Sequence, residues 1–318
     1  MAAEQLPPVR LRLRQLVDYL AEFVAACEQK SRETQRIYHR ALQEFLTFFV
    51  RDGRFLFRVR DVERYRRYLV RIRQLKPASV ATYMTALRRF CQYLVERGVL
   101  QRNPARRVPG ARRPQQHSRM FLTVEELRKL LESIETNTLQ GLRDRALVLM
   151  MLGCACSEHE LARATVGDIR RRGRLRFIYV QGKGKQAKDE PVPIPPKVWE
   201  ALEAYLKARG ATDPDEPLFL SHSPRSRGRG LSVRGIRETV NERLTAAGVK
   251  QGRHLRLTPF SLRHTAGLLM AESGASVEEL MQRMRLRWRP TALLYYRQKG
   301  RLGSSAAPEL QELVRLHR

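Results

Sequence analysis

Acidic residues are scarce in this sequence: 32 Asp and Glu stand against 61 Lys and Arg, a net charge of +29 over 318 residues. A GC-rich genome alone would enrich arginine, but it does not explain why acids fail to rise with it. So one-sided a surface repels itself unless it meets a polyanion, and nucleic acid leads because Lys and Arg displace the counterions condensed on phosphates. An acidic membrane surface ranks below, since no lipidation motif or basic amphipathic anchor stands out. Long apolar runs are also missing. None approaches the ~20 residues needed to span a bilayer, and the opening MAAEQLPPVRLRLRQL lacks an apolar signal core. The expectation is a cytoplasmic, nucleoid-associated protein without a membrane partner. Cysteine is sparse. Cys27, Cys91, Cys154 and Cys156 sit in apolar helical contexts and read as reduced, buried thiols rather than a disulfide framework. Cys154-Ala-Cys156 has no second Cys or His pair at zinc spacing, so neither a metal nor a cofactor is expected. Hydrophobic residues make up 42%, enough to bury a core and exclude a disordered chain, and the length suits two domains.

Apolar residues at helical spacing organise the first hundred positions into four helices. Leu16, Leu20, Phe23 and Val24 mark the first. Tyr38, Leu42, Phe45 and Phe49 mark the second, with Ser31 as its capping start. Asp61 is expected to cap a third, and Ser79 to open a fourth that Gly98 stops. Residues 1–101 thus form an all-α domain. Residues 102–119, RNPARRVPGARRPQQHSR, hold three prolines, a glycine, six arginines and no acid. Pro and Gly interrupt regular structure and the charge repels itself, so this segment reads as a basic linker. A second domain, 120–300, opens where Thr123 caps Val124-Glu125-Glu126-Leu127. It continues through helices near 123–134, 141–154 and from 158, and then an alternating stretch, 174–194. That stretch carries Gly182 and Gly184, the signature of a small β-sheet with a glycine turn. Helices resume at 196–209, 231–247, 259–272 and 277–286. The tail, 301–318, is loose and then amphipathic. The fold class is mainly α with a small β-sheet (α+β).

Several stretches in this order resemble the tyrosine recombinase, or phage integrase, family. SRETQRIYHRALQEFLTF and KPASVATYMTALRRFCQYLVERGVLQRNPA resemble its core-binding, SAM-like domain. FLTVEELRKLLESI, RDRALVLMML and ELARATVGDI resemble the start of its catalytic domain. The resemblance covers about residues 11–300. It implies a tyrosine that attacks a DNA phosphate to give a 3′-phosphotyrosine, arginines that stabilise the transferring phosphate, and a hairpin lysine that protonates the leaving 5′-oxygen. Carried over position by position, the lysine falls on Lys183, with Lys185 as fallback. The second arginine falls on Arg263 in Leu262-Arg263-His264-Thr265, with His264 taken as structural. The nucleophile falls on Tyr295, or on Tyr296 after a one-residue shift, and Glu160 is a supporting residue.

Three positions depart from the family pattern. Ser157 stands where the first catalytic arginine is expected, three residues before Glu160; Arg163 lies on another helical face and is a poor substitute. Phe260 replaces the first histidine. Leu286 replaces the later one, unless a one-residue shift brings Arg287 there. Two expectations follow. One is a site-specific recombinase with impaired cleavage, a homo-tetramer when active, its tail docking on a neighbouring subunit or folding back on its own core. The other is an inactive DNA-binding or bridging subunit, paired with an active recombinase. Under both, the partner is double-stranded DNA, the domains close as a clamp around it, and phosphate contacts come from Arg106, Arg107, Arg112, Arg113, Lys185, Arg225, Arg227 and Arg229.

Overall fold

The computed structural model describes residues 8–27, 32–111, 120–182, 184–251, 257–302 and 308–316. The chain divides into two compact units, Met1–Pro114 and Gln115–Arg318.

The first unit holds α1 (Leu13–Ala26), α2 (Arg32–Asp52), α3 (Val59–Arg67), a π-helical turn at Tyr68–Ile72, and α4 (Pro77–Glu96). Leu16 and Phe23, Leu42 and Phe45, Val62 and Tyr65, and Leu87 and Phe90 are buried together, because spacings of three and four put each helix's apolar residues on one face. Phe45 is central: Phe55 and Tyr65 meet it edge-on at 5.1 and 5.3 Å, the arrangement the ring quadrupole favours. Two starts differ from the sequence reading. Asp61 lies inside the first turn of α3, where its carboxylate accepts the backbone N–H groups of Leu56 and Arg58 at 3.1 and 3.0 Å. The fourth helix begins at Pro77, whose fixed φ suits the first helical position, so Ser79 sits within the first turn. Ser31 lies outside the described residues. The basic segment does not stand free from residue 102. Ala105 and Val108 are buried in this unit. Arg88 donates to the carbonyls of Ala105 and Val108 at 3.2 and 3.1 Å, and Arg66 to that of Gly110 at 2.9 Å. Here arginine fixes the backbone that proline leaves without a ladder, while Arg106 and Arg107 remain exposed.

The second unit opens with α5 (Val124–Glu132), α6 (Leu139–Gly153) and α7 (Glu158–Arg163). A short 3₁₀ turn leads to β1 (Ile169–Arg172), β2 (Leu175–Val180) and β3 (Glu190–Ile194), followed by α8 (Pro196–Ala208), α9 (Val233–Ala246), α10 (Pro259–Glu272), α11 (Val277–Arg283), α12 (Arg289–Tyr296) and α13 (Pro308–Gln311). The strands form one antiparallel sheet in the order β1-β2-β3. It starts earlier than the sequence suggested, since Ile169 pairs with Ile178 and Arg172 with Leu175. The charged run Arg170-Arg171-Arg172 hides that strand because it shows no apolar alternation. Thr123 accepts Glu126 N–H at 3.3 Å and caps α5. Helices α6 and α10 are buried along nearly their whole length and form the centre of the core. Asp144 of α6 ties in α9: its Oδ1 accepts Nε and Nη2 of Arg143 and its Oδ2 accepts Nε and Nη2 of Arg243, all at 2.6–2.8 Å. The tail closes on its own unit: Leu310, Leu313 and Val314 are buried, and Glu309 pairs with Arg128 at 2.8 Å. A Cβ on Gly153 would lie 2.5 Å from the Leu313 carbonyl, so this close approach needs glycine. Among the described residues, no helix is long and apolar enough to cross a membrane.

Candidate active site

Ser157 is the N-cap of α7. Its hydroxyl accepts Glu160 N–H at 3.4 Å, and Glu160 Oε2 accepts Ser157 N–H at 2.6 Å, a reciprocal capping box. Ser157 is therefore engaged in starting α7. Arg163 is exposed.

Glu160 is buried between two arginines that arrive from distant segments. Arg263, from the first turns of α10, donates Nη1 to Glu160 Oε2 at 3.2 Å and to the Ala155 carbonyl, and Nη2 to the Met284 carbonyl. Arg285, from the turn between α11 and α12, holds both carboxylate oxygens. Its Nε donates to Oε1 at 2.7 Å and its Nη2 to Oε2 at 2.8 Å. Its remaining contacts are the carbonyls of Ala155 at 2.7 Å and Arg283 at 2.6 Å. Planar, bidentate pairing is the stronger form, so Arg285 is the main partner of Glu160. Burial alone would raise the Glu160 carboxyl, but Arg285 and then Arg263 more than reverse this and hold it below its ordinary value. Desolvation lowers the Arg263 guanidinium, and Arg285 adds repulsion. Desolvation acts on Arg285 too, yet the Glu160 charge outweighs it and leaves that guanidinium raised. Ala155 and Arg285 both have positive φ, 48° and 52°, a conformation that costs a non-glycine residue energy. One guanidinium thus joins two strained turns.

Tyr295, on α12, is buried, and its hydroxyl lies 2.8 Å from His264 Nδ1. Burial pushes the phenol well up, with Arg263 pulling weakly the other way. His264 was expected to be structural; it touches the candidate nucleophile directly. A Cβ on Gly267 would lie 2.8 Å from the Tyr295 ring and 2.5 Å from Met284 Sδ, so that glycine makes room for the tyrosine. Phe260 stacks edge-on against His264 at 5.1 Å and lies 5.9 Å from the Arg263 guanidinium carbon. It offers no hydrogen-bond donor. Tyr296 is half-buried and points elsewhere, with its hydroxyl on the Ala275 carbonyl.

Lys183 lies outside the described residues, as do Arg112 and Arg113. Lys185 is paired with Asp189 at 2.9 Å and Glu190 at 3.1 Å. Gly184, with φ 78°, faces a cavity of about 430 Å³ whose walls include Glu190, Arg285, Leu286, Trp288 and Thr291. Leu286 therefore brings an apolar wall, and Arg285 a charged one, to the space beside the hairpin. Arg225, Arg227 and Arg229 are exposed. The Cys154 and Cys156 thiols flank the Ala155 turn. Burial raises both, Cys156 to about 12, so they stay protonated. Among the described residues, no three His, Cys, Asp or Glu side chains gather as a metal site.

Sequence reasoning missed Arg285 and the capping role of Ser157. The Ser157-x-x-Glu160 capping pattern was present to be read. Arg285 carried no local signal, since nothing at its own position announces a partner 125 residues away.

Residues 120–298 match the phage integrase family, and residues 15–108 the phage integrase SAM-like domain. The first match alone covers more than half of the chain, which therefore belongs to the phage integrase family. The tyrosine recombinase XerC of Serratia marcescens is 31% identical over 282 residues, covering 86% of this chain and 88% of the relative. That of Vibrio vulnificus strain YJ016 is 32% identical over 284 residues, covering 86% and 84%. Among solved structures, the fold is similar to XerH recombinase on palindromic difH substrate in a post-cleavage complex, with TM-score 0.69 and 16% identity over 96% of this chain and 99% of that one. It is also similar to a lambda integrase (75–356) dimer on a COC′ core site, with TM-score 0.66 and 15% identity over 90% and 96%.

Proposed function

We propose that this chain is a DNA-binding tyrosine recombinase whose Tyr295 cleaves and rejoins strands at specific sites, more slowly than a full catalytic set would allow. The observation that carries this is the buried Tyr295 hydroxyl, 2.8 Å from His264 Nδ1 and next to Arg263, in a phage integrase family member. His264 accepts the phenol proton as the Tyr295 oxygen attacks phosphorus. The 5′-oxygen then leaves, with Lys183 as its proton donor, and the energy of the broken bond is kept in the phosphotyrosine. Arg263 stabilises charge on the transferring phosphate. With Ser157, Phe260 and Leu286 in place of donors, the rate is reduced. Each lost donor costs about 2.7–4 kcal/mol, or ~10²–10³ in rate. The orientation of Tyr296 onto the Ala275 carbonyl favours Tyr295 as the nucleophile.

DNA binding rests on the +29 charge and on the DNA-bound neighbours in fold. Residues 1–101 act as the core-binding domain. The basic segment 102–119 tracks the backbone, and exposed Arg106, Arg107, Arg225, Arg227 and Arg229 add phosphate contacts. The solved relatives include a lambda integrase tetramer on a Holliday junction, which supports assembly of this chain on DNA.

A second reading has two observations in its favour: the Ser157 hydroxyl is engaged in capping α7, and Phe260 walls the site. On that reading the chain binds sites and supports an active recombinase without cutting.

Nicked suicide duplexes bearing candidate target sites separate the two. A denaturant-resistant protein–DNA adduct that persists in Tyr296→Phe and disappears in Tyr295→Phe is expected. Tight, salt-sensitive binding with no adduct would establish the non-cutting reading.

A further inference from the structure

We propose that Arg285 compensates for the arginine missing at position 157, by neutralising Glu160 so that Arg263 keeps its positive charge for a DNA phosphate. This rests on reading the Tyr295 site as a phosphate site. Arg285 is a positioning residue, acting through Glu160 and Arg263.

Without Arg285, the buried Glu160 carboxylate would face Arg263 alone, and the two would cancel, leaving no net attraction for a phosphate. With Arg285 the cluster of Arg263, Glu160 and Arg285 carries one net positive charge. The geometry apportions it. Arg285 takes both carboxylate oxygens at 2.7 and 2.8 Å, whereas Arg263 makes one longer contact at 3.2 Å. Glu160 is thus satisfied mainly by Arg285.

Position supports the same reading. Arg285 donates to the carbonyl of Ala155, two residues before Ser157, so its guanidinium stands at the turn from which the missing arginine would project. It reaches there from a left-handed backbone at φ 52°, where glycine would be unstrained and arginine is not. A strained conformation kept at a buried charged residue is expected where that charge is needed. Arg285 also lines the cavity of about 430 Å³ between the hairpin and the α11–α12 turn, so the cluster borders open space. The Arg143–Asp144–Arg243 trio elsewhere in this unit shows the contrast. It staples two helices together, and neither a positive-φ turn like those of Ala155 and Arg285 nor the cavity beside the hairpin is attached to it.

The test measures the full-length chain's affinity for nicked duplex against salt, for wild type, Arg285→Gly and Arg285→Gly/Glu160→Gln, with melting curves alongside. Glycine removes the guanidinium and relieves the backbone. Losing one phosphate contact lowers the slope of log K against log salt by about 0.9. That loss is expected in Arg285→Gly, with a fall in adduct rate of about 10²–10³-fold. In the double variant no carboxylate opposes Arg263, so the slope is expected to return to the wild-type value. A purely structural role for Arg285 would not give that return. An unchanged slope in Arg285→Gly overturns the proposal, and so does a lowered slope in both variants. If Arg285→Gly fails to fold, the double variant decides alone: a wild-type slope supports the proposal and a reduced one overturns it. If wild type forms no adduct yet the slope responds as expected, the cleavage reading fails and the role of Arg285 stands.

Discussion

Glu160→Gln is the perturbation with the clearest expected size. The wild-type carboxylate accepts two bonds from Arg285, one from Arg263 and one from the Ser157 N–H, at 2.7, 2.8, 3.2 and 2.6 Å. The two guanidiniums are 7% and 10% exposed, so water cannot replace what is lost. Glutamine keeps the shape but turns an amide N–H₂ toward donors and leaves two buried cations facing each other. Breaking a buried ion pair by removing one partner costs about 3–5 kcal/mol. A unit of this size shifts its melting temperature by roughly 2–4 °C per kcal/mol, so a fall of roughly 6–20 °C is expected. Calorimetry of the full-length chain reads it. The pH dependence supplies a second arm. Because Glu160 sits below its ordinary value of 4.5 when folded, its contribution is present above that value and is lost as pH falls through the lower folded value. Wild type should therefore lose stability in acid more steeply than Glu160→Gln. A destabilisation under about 1 kcal/mol, the range of exposed pairs, would refute the picture of a dry, shared carboxylate.

Other outcomes follow from the same site. Gly267→Ala should push the Tyr295 ring by roughly half an ångström, since its Cβ would otherwise lie 2.8 Å from the ring. Misplacement of about 1 Å can cost 10²-fold, so adduct formation should fall by about tenfold with DNA affinity unchanged; an unaltered rate would show that Met284 alone yields. Ser157→Ala should cost about 1 kcal/mol of stability through loss of the α7 cap and leave the adduct rate unchanged in suicide-substrate assays. A rate loss without a stability loss would mean that the hydroxyl serves the phosphate instead.

Much of the local architecture was legible because its causes are local. The stripe from Leu16 to Phe23, the Thr123 cap and the glycine at position 184 each follow from residues a few positions apart. The misses have local causes too. Asp61 and Ser79 each lie two positions inside a helix they were expected to begin, because acceptors in the first turn and before it look alike in sequence. β1 was hidden by Arg170-Arg171-Arg172, whose partner strand supplies the evidence that it is a strand. The family resemblance pointed to Arg263 and Tyr295 as candidates and to Ser157 as an expected departure, but it said nothing of Arg285, which shares Glu160 with Arg263.

The sequence by itself determined the charge, the two-unit organisation and the helical periodicity, because each is a property of composition or of short spacing. Only the tertiary structure decided that Glu160 is shared by Arg263 and Arg285, that His264 meets Tyr295, and that Tyr296 turns away. Those pairings join residues separated by 31 to 125 positions. They depend on how α7, α10 and the α11–α12 turn converge around one buried carboxylate, and no local pattern encodes which cation reaches it.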